Sequence, residues 1–76
     1  MSIAFILVNC DMGYEIQTIT RLKELCDEIQ GTYGMYDFIC KLNYDTMESF
    51  EQILQNIRRI ENITHTITIQ TIPEQS

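Results

Sequence analysis

GTYGMYDFICKLNY, residues 31–44, decides the fold, because within it the chain passes from turn chemistry into strand alternation. Gly31 and Gly34 stand close together beside Asp37, and glycine permits the backbone angles that a tight reversal requires. Beyond Asp37 the side chains alternate, with Phe38, Cys40, Leu42 and Tyr44 on one face and Ile39, Lys41 and Asn43 on the other. A β-hairpin is therefore expected, entered near Ile29 and leaving along residues 37–44.

Upstream of the hairpin, Ile16, Ile19, Leu22, Leu25, Cys26 and Ile29 recur at helical spacing after Asp11 and Gly13. The spacing predicts a helix over residues 13–27, with Asp11 or Glu15 suited to its positive N-terminal end. Before it, residues 3–10 (IAFILVNC) read as a strand apolar on both faces, which requires cover on both sides of a sheet. Downstream, Asp45-Thr46-Met47-Glu48 has the form of a capping box. Met47, Phe50, Ile53, Leu54, Ile57 and Ile60 then make a helical stripe, predicting a second helix over residues 46–60 with Arg58 and Arg59 in its last turn. Residues 63–72 alternate as a final strand, Ile63, His65, Ile67 and Ile69 on one face and Thr64, Thr66, Thr68 and Gln70 on the other.

The resulting order, βαββαβ, is that of an α+β, ferredoxin-like domain: a four-stranded antiparallel sheet with both helices on one face. One such domain accounts for residues 1–76, with the only proline, Pro73, just before the polar tail. The helix-free face of the sheet would expose the Ile and Val side chains of the first strand, so a dimer paired sheet to sheet is expected.

Composition narrows the function. A chain of 76 residues buries only about 60% of the surface that its unfolded form exposes, so help from a disulfide, a metal or a partner is expected. The three cysteines, Cys10, Cys26 and Cys40, form no CxxC or Cys/His cluster and behave as small hydrophobes, while the single histidine, His65, has no ligand-spaced companion. That leaves oligomerisation, with no metal and no cofactor. Eleven acidic against five basic residues give a net charge of −6, which repels phosphate backbones and argues against direct nucleic-acid binding. The longest apolar run falls far short of the roughly 20 residues that cross a bilayer, so no membrane association and a cytoplasmic location with reduced thiols are expected. Catalytic residues are not in view, since no nucleophile–base pair is discernible. His65 reads as a partly buried structural histidine, and Glu48, Glu51 and Glu61 as a solvated helix face.

The hairpin holds one feature that turn chemistry leaves over. Gly34 and Asp37 are ordinary turn residues, but the two tyrosines, Tyr33 and Tyr36, do not follow from that. Gly34-Met35-Tyr36-Asp37, with the Thr66-Ile67-Thr68 pair in the closing strand, resembles the G-x-Y-D and T-x-T patterns of the Lrp/AsnC (feast/famine) transcription regulators, in their ligand-binding RAM domain. The resemblance spans nearly the whole chain. It implies homodimers pairing through their sheets in an α/β barrel-like arrangement, assembled further into tetramers or octamers. It also implies an amino acid or similar small-molecule effector bound between dimers by Gly34, Tyr36 and Asp37 on the loop side and Thr66 and Thr68 on the strand side. Without the hairpin, β-propensity alone would explain the two threonines.

Nothing resembling the family's helix-turn-helix domain precedes the first strand, which follows Met1 almost directly, so the chain is similar to a stand-alone form and DNA binding is not carried over. Asn62 stands before Ile63 where many relatives have glycine. Two functions follow as expectations: an effector-sensing module that modulates transcription regulation through assembly, or a structural partner that co-assembles with full-length Lrp/AsnC regulators and carries no ligand. Acylphosphatase shares the fold, but the corresponding loop here, Asp11-Met12-Gly13-Tyr14, is acidic and unsuited to phosphate.

Overall fold

A computed structural model describes residues 2–72, so Pro73 and the tail after it lie outside the described residues. The elements run β1 (Ser2–Cys10), α1 (Glu15–Leu25), β2 (Glu28–Gly31), β3 (Phe38–Tyr44), α2 (Met47–Arg58) and β4 (Ile63–Gln70). They form one four-stranded sheet in the order β2-β3-β1-β4. All three pairings are antiparallel. The ferredoxin-like order and topology expected from the alternation are those observed.

Register fixes which side chains meet the helices. Ala4, Ile6 and Val8 of β1 pair with Leu42, Cys40 and Phe38 of β3, and all six are buried. Leu22 of α1 and Phe50 and Ile57 of α2 close over them, with Ile60 just beyond α2, to make the single core. Burying apolar surface at roughly 25 cal/mol per Å² is what holds such a layer together. Tyr44 and Phe50 finish one end with ring centroids 4.7 Å apart, and the Gln70 side-chain amide donates to the Tyr44 hydroxyl at 3.1 Å.

The α1 stripe differs from its sequence reading. Ile16 was expected in the core but is 78% exposed, while Thr18 is buried. At 3.6 residues per turn Ile16 stands about 120° around the helix from Leu22, whereas Thr18 stands within about 40° of it. The Thr18 hydroxyl tolerates burial because it donates to the Tyr14 carbonyl at 2.7 Å. Ile29, counted with the same stripe, belongs to β2, where it pairs with Cys40.

The α2 cap also differs. The cap is Thr46 rather than Asp45: Ser49 N donates to Thr46 Oγ1 at 3.1 Å, and Ser49 Oγ donates back to the Thr46 carbonyl at 2.9 Å. Ser49 therefore occupies the reciprocal position that Glu48 was expected to hold. Met47, placed in the stripe, is 52% exposed at the first turn.

β4 carries the third difference. Thr66 and Thr68 pair with Val8 and Ile6, so they share the helix-covered face, while Ile67 and Ile69 pair with Leu7 and Phe5 on the helix-free face. A register shift between Asn9 and Cys10 places Ile63 opposite Cys10 and packs it against the core, separating it from His65. His65 is exposed, not partly buried.

Candidate functional site

The hairpin loop between β2 and β3 is held from both sides. Thr32 N donates to the Asp37 carbonyl at 2.9 Å, and the Thr32 hydroxyl donates to the Tyr36 carbonyl at 2.6 Å. Gly34 sits at the tip with φ +108°, a left-handed conformation that side-chain-bearing residues rarely adopt. Nothing lies within 4 Å of where a Cβ would be, so glycine serves the backbone angle here and not a close approach. Tyr33 and Met35, on either side, project into solvent.

Asp37 ties this loop to the end of β1. Its amide donates to the Val8 carbonyl and to Asn9 Oδ1, each at 3.0 Å. Its carboxylate accepts from the Cys10 amide at 2.9 Å. A carboxylate on a backbone amide is among the stronger hydrogen bonds in a protein. Asp37 thus has a structural task before any ligand is considered. The Cys10 thiol stands close by and is pushed up from its ordinary range, chiefly by burial and then by the Asp37 and Glu15 charges, against a lowering hydrogen bond with Thr18. Just beyond, Asp11 N donates to the Asn62 carbonyl at 2.8 Å, joining the β1 exit to the start of β4.

Tyr36 faces β4. Its ring stacks on His65, with centroids 6.1 Å apart and planes 24° from parallel. The loop residues Gly34, Tyr36 and Asp37 therefore gather at one end of the sheet with Asn9, Cys10 and His65. Thr66 and Thr68 are the next positions along β4 but turn to the helix-covered face, the opposite side from His65. Among the five residues expected to form the site, Tyr36 and Asp37 are brought together, Gly34 shapes their loop, and the threonines stand apart on the other face.

Thr68 is nonetheless unusual. Its hydroxyl oxygen is buried, and among the described residues it has no hydrogen-bond partner. An unpaired buried hydroxyl costs roughly 1–3 kcal/mol. One cleft is lined by Met47, Phe50, Leu54 and Arg58 of α2 and another by Arg58, His65 and Thr66, and Thr68 lines neither.

Three contributors escaped the sequence reading. Asn9 lay inside an apolar strand and signalled nothing. Thr32 stood in the hairpin stretch with no role assigned to it. His65 was weighed alone, since its neighbour Tyr36 is 29 positions away in sequence and only β4 pairing brings them together. Among the described residues no group of three or more His, Cys, Asp or Glu side chains is placed to hold a metal ion. None of the described helices is long and apolar enough to cross a membrane.

No protein-family model and no curated protein sequence matches the chain. Solved structures do. The crystal structure of FFRP-DM1 is 33% identical, with 95% of this chain and 100% of that one covered at a TM-score of 0.87. The hypothetical protein PHS023 from Pyrococcus horikoshii is 34% identical over 97% of this chain and 93% of that one, TM-score 0.85. E. coli AsnC shares the fold at 18% identity and TM-score 0.84, and this chain matches 54% of its length.

Proposed function

The chain belongs to the Lrp/AsnC, or feast/famine, regulatory family, and from that we propose that it is an effector-binding and oligomerisation domain that takes an amino acid or related small metabolite at an interface between dimers. Binding there alters assembly, and through assembly transcription regulation, in the cytoplasm and without contact to DNA by this domain. The net charge of −6 supports the last point, since it opposes a phosphate backbone.

The observation that carries the reading is the placement of the Gly34–Asp37 loop. It is braced against the end of β1, at the margin of the helix-free face, with Tyr36 stacked over β4. A free amino acid presents an ammonium and a carboxylate, which carboxylate, amide and hydroxyl groups satisfy. Phe5, Leu7, Ile39, Ile67 and Ile69 make the helix-free face apolar, which supports sheet-to-sheet pairing.

One observation favours a second reading. The Asp37 carboxylate is already committed to the Cys10 amide, as a purely structural loop would have it. In that reading the domain co-assembles with full-length regulators and its pocket stays empty.

Thermal-shift screening against the twenty amino acids separates the two, because a ligand of the folded form raises Tm by mass action. Asp37→Ala is a poor control, since it also removes a brace of the fold. Tyr36→Ala is the better one, since it removes the ring that stacks on His65 and leaves the Asp37 brace in place. The sensing reading predicts a Tm rise with one or a few amino acids that Tyr36→Ala abolishes. No rise with any of the twenty would leave the co-assembly reading standing.

A further inference from the structure

We propose that the cleft between the start of α1 and the end of α2 binds the oxyanion of a small metabolite, a phosphate ester or a carboxylate. Tyr14, Gln17 and Arg21 are spaced three and four residues apart, so they share one face of α1 and its cap and form one wall. Residues 59–62, which carry the chain from α2 to β4, form the other. The walls are joined through Asp11, whose amide donates to the Asn62 carbonyl at 2.8 Å and whose carbonyl accepts from Tyr14 N at 3.1 Å. The cleft encloses ≈ 500 Å³, within the range of small-molecule sites. None of its lining residues belongs to the Gly34–Asp37 loop or to the helix-free face, so sheet-to-sheet pairing leaves it open.

The lining is rich in hydrogen-bond donors suited to an anion. The chain has five basic residues against eleven acidic, yet two of the five, Arg21 and Arg59, line this one cleft. Among the described residues the ion pairs are Arg21 with Glu24 and Lys41 with Glu28, which leaves Arg59 without a carboxylate partner. Arg21 is held loosely: its Nε stands 3.9 Å from the Glu24 carboxylate and both side chains are exposed, a pairing that contributes little. A guanidinium offers a fork of N–H donors that matches the oxygens of a carboxylate or phosphate. The Tyr14 hydroxyl and the Gln17 amide add neutral donors. Arg58 and Arg59 both suit the negative end of α2, but they diverge: Arg58 lines the clefts beside β4, and Arg59 lines this one. Glu61, the one carboxylate in the lining, opposes an extended polyanion and so favours a small ligand.

The test follows thermal unfolding of the whole chain with inorganic phosphate and with succinate, each against sodium chloride at the same ionic strength. Neither anion carries an ammonium group, so the outcome is independent of the amino-acid screen. A ligand of the folded form raises Tm, by roughly 5 °C or more at ten times its dissociation constant. Expected is a saturating rise with at least one of the two, lost in Arg21→Gln and in Arg59→Gln but retained in Arg58→Gln, which removes the same charge one residue away. A rise with phosphate alone assigns a phosphoryl ligand, and a rise with succinate alone a carboxylate. All three arginines are exposed, so the substitutions leave the fold intact, and an unchanged Tm without anion verifies it. No rise beyond sodium chloride with either anion, a rise that survives in Arg21→Gln or Arg59→Gln, or one that Arg58→Gln loses equally would overturn the proposal.

Discussion

At the scale of single residues, Asn62 and Asp37 each show a side chain chosen by backbone demands. Asn62 is the only described residue other than glycine with positive φ, at 74°. Asparagine tolerates that left-handed region better than most residues, which suits it to this position. Its carbonyl also receives the Asp11 amide, so the conformation fixes how β4 leaves α2. Asn62→Ala should cost about 1 kcal/mol in urea unfolding, and Asn62→Gly should be close to neutral. Equal losses in both variants would mean that the side chain, not the backbone angle, matters there. Asp37 was read from the sequence as half turn former, half ligand group. The turn half was legible from its neighbours Gly34 and Phe38. Its bond to the Cys10 amide was not, because that partner is 27 residues away in sequence and only strand pairing reveals it.

At the scale of elements, periodicity located both helices and all four strands but erred wherever a side chain's polarity was a poor guide to its position. Thr18 is buried because its hydroxyl folds back on its own helix, and Ile16 is exposed because it lies off the covered face. A hydrophobic residue at plausible spacing looks like core in one dimension, and only the helix angle separates the two. The α2 start shows the same limit. Asp45 and Thr46 are both good caps, and the choice between them is one residue of register. With Thr46 accepting from Ser49 N, Thr46→Ala should lower stability by about 1 kcal/mol, with the loss seen as a fall in Tm, whereas Asp45→Ala should have little effect. The reverse order would restore the cap to Asp45.

At the scale of the whole molecule, the alternation of β4 carries the most consequence. Thr66 and Thr68 face the helices and Ile67 and Ile69 face away, the inverse of a strand whose outer face meets water. Ile67 and Ile69 are 40% and 49% exposed and continue an apolar surface formed by Phe5, Leu7 and Ile39. The Lys41–Glu28 ion pair, 3.4 Å apart, borders that surface on the β2 side. A 76-residue chain with no disulfide among its described residues gains from covering such a face with a second copy. The sequence alone made this face legible, because the first strand is apolar on both sides whichever way it is turned. What it could not convey was the division of the candidate site between two faces, since G-x-Y-D and T-x-T meet only through the register of β1 with its neighbours. Ile67→Glu places a charge on that face, on the edge strand beside Leu7, and should shift the protein towards monomer while leaving its helical content intact.

The central claim, a domain that assembles through its sheet and binds a small molecule between assembled copies, is tested most directly by native mass spectrometry of the wild-type protein mixed with the twenty amino acids. The account predicts dimers or multiples of dimers, with an amino-acid mass retained on the higher assemblies. A monomer at every concentration, with no retained mass, would contradict it.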